Sequence, residues 1–302
     1  MKKFKSIVPV LITPLDKSGE VCKDSLLNLL HLFDKKKCSG LWVLGTGGED
    51  MCLSFKQRVK VAEIIHEFKT EMKICVGASF FSPKESLDFM KLTKDFDFSS
   101  YHAMPYHPKV SSSQLFNWYS FLNDHSDKKI WAYTSGNWAQ RIDANLIKKV
   151  KNLSNFEGVK YSTSNIVDLH EVALLQDDNF QVISAVIKTF FSALNLGLEA
   201  STSIEAMLFY DEIDKIYKLY SENKREEAFE IQNFLNLKLL KYPNLASKDN
   251  FLRSSEIKYL LYKLNLIKSD NVTFYYRGLT ESEKNEMDQF LLTYQNYILN
   301  NK

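Results

Sequence analysis

Short apolar runs alternate with stretches of helical spacing over the first two thirds of the chain, and this alternation predicts the architecture. Residues 7–13 are β-branched and apolar until Pro14 stops them, which reads as a first strand. Behind Asp24 and Ser25, the residues Leu26, Leu27, Leu29, Leu30, Leu32 and Phe33 form a helical stripe, and Gly40 closes that helix. Residues 41–44 read as a second strand. Ser54 then caps a helix that shows Val61, Ala62, Ile65 and Phe68 on one face. Residues 73–78 form a third strand, and Ser82-Pro83 opens the next helix with proline in its first turn. The pattern continues with strands at 99–104, 129–134, 156–161, 180–186 and, weakly, 198–201. Helices are predicted between them at 114–122, 143–150, 166–175 and 189–196.

The predicted strands are short and apolar on both faces, as parallel strands covered on both sides should be. Eight of them separated by helices are most economically closed into a (β/α)₈ TIM barrel. An open doubly wound sheet is the alternative, but no GxGxxG follows the first strand. After Ser203 the strands stop. Residues 204–240, 254–266 and 280–299 read as helices, with 242–250 as a loop. The expected division is a barrel domain at 1–222 and a C-terminal helical appendage at 223–302.

Composition narrows the function without naming it. The chain has 302 residues, 45% of them hydrophobic, and 39 basic against 37 acidic residues give +2. That balance offers no footprint for nucleic acid or for an anionic membrane. The Lys35-Lys36-Lys37 run fits a solvated helix end. Cys22, Cys38, Cys52 and Cys75 form no CxxC pair and no zinc pattern, so reduced thiols and no metal or cofactor are expected. The N-terminal apolar run is interrupted by Pro9 and Pro14 and is too short for a span, and no signal-peptide cleavage site follows it. A cytoplasmic location is the expectation, with a small molecule as the partner.

In a barrel the reactive groups gather at the C-terminal ends of strands. The sixth strand ends near Lys160, and an ammonium in a strand interior loses its hydration. Losing the proton relieves that cost and leaves a nucleophilic amine able to condense with a ketone. The competing reading is a lysine whose head reaches water. Tyr133 ends the neighbouring fifth strand and can shuttle a proton at the same mouth. After the second strand comes Gly45-Thr46-Gly47-Gly48-Glu49, whose backbone N–H groups can gather on a carboxylate or phosphate.

The run GTGGE, the tyrosine ending strand five and the G-V-K at Lys160 resemble the dihydrodipicolinate synthase and N-acetylneuraminate lyase family over nearly the whole chain. The resemblance implies a Schiff base between Lys160 and pyruvate or a 2-keto acid. It implies proton transfer by Tyr133, and Thr46, Gly47 and Gly48 holding the pyruvate carboxylate. It also implies a homo-oligomer, a dimer or a tetramer. Several positions depart from the family. Gly47 stands where a second hydroxyl residue is usual. His107 stands where the synthases have a tyrosine that reaches into a neighbouring subunit's proton relay; it reads either as a proton-passing replacement or as a surface or interface histidine. Trp138 stands near the place of a carboxylate-binding arginine, with Arg141 three residues further on. After strand seven, Lys188 reverses the sign of the acidic residues in the sialic-acid lyases; it reads either as a ligand for a substrate carboxylate or phosphate or as a solvated helix start. The expectation is a pyruvate-dependent class I aldolase acting on a 2-keto-3-deoxy sugar acid or a related 2-keto acid. A dihydrodipicolinate synthase is the alternative enzyme. A barrel that has lost turnover and serves as a sensor or scaffold is the non-enzyme alternative.

Overall fold

The computed structural model describes residues 2–107, 110–135, 139–250 and 252–300. Its eight strands are β1 (Ser6–Pro9), β2 (Gly40–Val43), β3 (Lys73–Gly77), β4 (Ser100–Ala103), β5 (Lys129–Ser135), β6 (Phe156–Ser162), β7 (Gln181–Ser184) and β8 (Ala200–Ser203). All pairs are parallel, in the order β1-β8-β7-β6-β5-β4-β3-β2. The ring closes between β1 and β2 through a bridge from Val10 to Trp42, with the Leu11 N–H 2.9 Å from the Trp42 carbonyl. This is the expected (β/α)₈ barrel.

Seven helices wrap the strands between β1 and β8: α1 (Lys23–Lys35), α2 (Phe55–Glu67), α3 (Pro83–Thr93), α4 (Ser112–His125), α5 (Ala144–Val150), α6 (Ile166–Ala173) and α7 (Phe190–Asn195). Their starts follow the capping residues read from the sequence. Ser54 accepts from the Gln57 amide at 3.2 Å, and Asp143 accepts from the Leu146 amide at 2.8 Å. Strand β8 begins later than the apolar pattern suggests. Leu198 is still tied to the end of α7 by its N–H to the Ala193 carbonyl, and Gly197 turns the chain there at φ +83°. Helix α8 (Ala206–Ser221) then packs on β1 and β8, and α9 (Arg225–Leu237) packs on α8. Helices α10 (Ser254–Lys263) and α11 (Glu281–Asn300) complete the chain.

The barrel interior is filled in layers from its N-terminal end. Phe4 and Trp131 meet edge to face at 5.2 Å beside a buried ion pair, Lys73 to Glu157 at 2.8 Å. The Trp131 indole N–H also donates to Glu157 at 2.6 Å, so the buried carboxylate is compensated. Above that layer Trp42 stacks on His102 at 4.4 Å. The β5–β6 register decides what comes next. Ile130 pairs with Phe156 but Trp131 pairs with Gly158, so Glu157 is the extra residue of a bulge. Beyond the bulge, Tyr133 lies opposite Lys160. Gly158 is required there, because a Cβ would sit 2.5 Å from the Trp131 ring.

Candidate active site

Lys160 is 4% exposed at the C-terminal end of β6. Its Nζ lies 3.9 Å from the centre of the Tyr133 ring and 5.1 Å from that of Trp42. Burial pushes its ammonium from 10.5 down to about 7, while the carboxylate of Asp50 and the thiol of Cys75 act in the opposite direction. A substantial share of the amine is therefore neutral at physiological pH.

The Tyr133 hydroxyl lies 2.9 Å from Thr46 Oγ1, which joins the phenol to the glycine-rich turn. Burial raises the Tyr133 phenol, so it enters as a neutral O–H able to donate. Residues Thr46–Gly48 form a 3₁₀ turn closed by Gly48 N–H to the Gly45 carbonyl and Glu49 N–H to the Thr46 carbonyl. Among the described residues, the Thr46 and Gly47 amides donate to no protein acceptor. They are the free N–H groups of the turn, whereas the Gly48 amide is spent on closing it. A Cβ on Gly47 would stand 2.8 Å from Val10 and 3.0 Å from Ile204. The second hydroxyl residue usual in the resembled family would have to displace these two side chains.

Lys160, Tyr133, Thr46 and Gly47 line one cavity of about 320 Å³ at the barrel mouth. Ser162, on the same side of β6 as Lys160, lines it as well, and Lys188 and Arg253 stand on its wall. Lys188 lies in the short 3₁₀ turn Ile187–Thr189 after β7, and its side chain is exposed. His107 is exposed and outside the cavity of its own chain. Its Nε2 lies 2.9 Å from the Phe81 carbonyl, and its ring packs edge-on against Phe81. Trp138 lies outside the described residues. Arg141 is turned away from the mouth, where it pairs with Asp168 and reaches the Tyr161 hydroxyl at 3.3 Å.

Sequence reading missed a layer of buried charge behind the turn. Asp50 is 1% exposed and accepts hydrogen bonds from the Tyr106 hydroxyl and, at 2.9 Å, from the Met51 amide. Burial raises its carboxyl, with Arg58 and Lys160 opposing. Glu49 adopts φ +59° and pairs at 2.5 Å with Lys258 of α10, both side chains at zero exposure. Its other oxygen accepts from the Thr273 amide at 2.7 Å, and Lys258 also donates to the Asn271 carbonyl at 2.9 Å. The C-terminal helices thereby clamp the turn from behind. A buried lysine inside an apolar helical stripe was the available signal for Lys258, but its partner lies more than two hundred residues away in the chain. His102 is a further buried base. Its Nε2 donates to the Val43 carbonyl at 2.9 Å, and burial lowers it to about 3, so it is neutral and serves as packing under the site.

The sequence profile of the Dihydrodipicolinate synthetase family matches residues 3–293. A 4-hydroxy-tetrahydrodipicolinate synthase of Buchnera aphidicola subsp. Schizaphis graminum is 25% identical over 297 residues, covering 95% of this chain and 97% of that protein. A 2-dehydro-3-deoxy-D-gluconate/2-dehydro-3-deoxy-phosphogluconate aldolase of Picrophilus torridus is 25% identical over 224 residues, covering 74% of this chain and 83% of that one. Among solved structures, dihydrodipicolinate synthase from Bacteroides thetaiotaomicron superposes with a TM-score of 0.89 at 19% identity, covering 97% of this chain and 99% of that chain. At that identity the superposition speaks for the fold alone.

Proposed function

The chain belongs to the Dihydrodipicolinate synthetase family, whose members are synthases and aldolases, and from that premise we propose that it is a pyruvate-dependent class I aldolase working through a Schiff base on Lys160. Its substrate is a 2-keto-3-deoxy sugar acid or a related 2-keto acid. The observation that carries the reading is the buried Lys160 amine, set on the Tyr133 ring beside a turn with two unspent amides.

The chemistry follows from that arrangement. The substrate carboxylate accepts hydrogen bonds from the Thr46 and Gly47 amides, which sets the adjacent ketone against Lys160. The neutral amine attacks the carbonyl carbon, and the carbinolamine loses water with a proton supplied by Tyr133. The resulting iminium draws the electron pair of the C3–C4 bond as that bond breaks. The proton of the C4 hydroxyl passes to Tyr133, and an aldehyde leaves. Tyr133 passes that proton on to C3 of the enamine left on Lys160, and water hydrolyses the resulting iminium, its released proton returning to the Tyr133 oxygen, to give pyruvate and the free amine. Thr46 keeps the Tyr133 hydroxyl oriented throughout. His107 enters from a second copy of the chain in a homo-oligomer, as the proton-passing group that a single chain does not bring to its own cavity.

A panel of 2-keto-3-deoxy acids read out by pyruvate release tests the proposal. Release from at least one of them, abolished in Lys160→Ala, is the expected result. Condensation of pyruvate with aspartate semialdehyde as the sole reaction would identify a synthase instead. No turnover and no pyruvate adduct would identify a scaffold.

A further inference from the structure

We propose that Lys258 of α10 is a positioning residue for the reaction: through Glu49 it holds the Thr46–Gly48 turn in the shape that offers its two free amides to the substrate carboxylate. This rests on the reading of the turn given above. The turn is bounded by unfavourable backbone on both sides. Leu44, shortly before it, has φ +54°, and Glu49, directly after it, has φ +59°. Both residues carry a Cβ, and the left-handed region costs energy for such residues. A conformation of that kind persists only where its surroundings enforce it. Released from them, Glu49 would relax to ordinary backbone values, and the Thr46 and Gly47 amides would move with it.

The Glu49 side chain supplies the enforcement. One carboxylate oxygen pairs with Lys258 at 2.5 Å, and the other accepts from the Thr273 amide at 2.7 Å. Both charged side chains have zero exposure, so neither can exchange its partner for water. Lys258 is fixed in turn by donating to the Asn271 carbonyl at 2.9 Å, and the Asn271 side chain donates to the Asp16 carbonyl at 2.6 Å. Four residues earlier, on the same face of α10, the Ser254 hydroxyl reaches the Gly47 carbonyl at 3.4 Å. The helix therefore meets the turn at two points, one of them a buried ion pair. Glu256 anchors the helix itself by accepting from the Leu245 and Ser247 amides, each at 2.9 Å. The barrel also contains a natural comparison. Lys73 and Glu157 form a second buried ion pair, at 2.8 Å, but at the N-terminal end of the strands and remote from the turn.

The test sets Lys258→Met beside Lys73→Met, since each leaves a buried glutamate without its cation. Borohydride trapping at increasing pyruvate gives a half-saturating concentration and a saturated rate for each folded protein. We expect Lys258→Met to raise the half-saturating concentration about tenfold, the order given by one charge-assisted hydrogen bond, with the saturated rate unchanged. Lys73→Met should lose stability in urea yet keep the half-saturating concentration of the unaltered chain. Lys258→Met with Glu49→Gln removes the stranded charge; it should regain stability and still need the higher pyruvate concentration. Lys258→Arg should restore part of the affinity. A half-saturating concentration that is unmoved in Lys258→Met overturns the assignment. So does one that rises equally in Lys73→Met, or one that recovers with stability in the double variant, either of which marks Lys258 as structural support only. Should Lys258→Met fail to fold, the double variant and Lys258→Arg carry the comparison. A failure of trapping in the unaltered chain counts against the lysine chemistry alone, and calorimetric titration of pyruvate into the same proteins then reads the same contrast. Absence of pyruvate binding by the unaltered chain in that titration overturns the role of the turn and of Lys258 together.

Discussion

Replacing Lys160 by Met should stabilise the protein near neutral pH, and the gain should fade as the solution becomes alkaline. An unfolded chain holds this lysine at its ordinary value of 10.5, whereas burial in the barrel brings it to about 7. Between those values the unfolded state binds a proton that the folded state does not, so the stability of the unaltered protein rises with pH across that window. Well below pH 7 both states are largely protonated, and the folded state bears nearly the full cost of a buried ammonium. Converting the interval gives a penalty on the order of 4 kcal/mol. A methionine fills the same space with an uncharged chain and avoids that cost. It also removes the attraction between Lys160 and Asp50 and the contact with the Tyr133 and Trp42 rings. The net gain should therefore be smaller, about 1–3 kcal/mol. Urea unfolding of both proteins at about pH 6.5, 8 and 9.5 measures it directly. The gain should be largest at the lowest pH and nearly gone above about pH 10. A gain that does not change with pH would refute the reasoning. So would a loss of about 3 kcal/mol or more at every pH, which is what breaking a well-formed buried ion pair would cause.

Three further outcomes follow from the same contacts. Tyr133→Phe keeps the ring under Lys160 but removes the hydroxyl bonded to Thr46, and should lower kcat by about 10²–10⁴ while the borohydride-trapped adduct still forms, only more slowly. Lys258→Met leaves Glu49 buried without its cation and should cost about 3–5 kcal/mol in urea unfolding; adding Glu49→Gln should recover part of that loss, because it removes the stranded charge. Gly47→Thr restores the hydroxyl usual in the family, yet it should destabilise by about 1–3 kcal/mol and raise KM for pyruvate, since the new side chain meets Val10 and Ile204.

The barrel was legible because each strand is a short apolar run bounded by a cap, a proline or a glycine, and Ser54, Pro83 and Asp143 mark helix starts where the structure has them. The opposition of Tyr133 and Lys160 was legible for a related reason: both end consecutive parallel strands, so both point toward one mouth. The bulge at Glu157 was not, because its cause is tertiary, a carboxylate drawn toward Lys73 and Trp131. Asp50 and Lys258 were hidden for the same reason, since what makes each tolerable in the interior is a partner remote in sequence. Arg253 lay in a stretch that reads as plain loop and helix start, and the fold carries it to the cavity wall. His107 shows the converse: a residue at a suggestive position in the chain whose ring lies on the outer surface of its own chain.

The central claim is that the Lys160 amine is the nucleophile. It is tested most directly by treating the protein with pyruvate and borohydride near neutral pH and mapping the modified peptide by mass spectrometry. The account predicts one reduced pyruvyl adduct, on Lys160, which is lost in Lys160→Ala. A protein that takes up no pyruvyl group, or that carries it on a surface lysine while Lys160 stays unmodified, would contradict it.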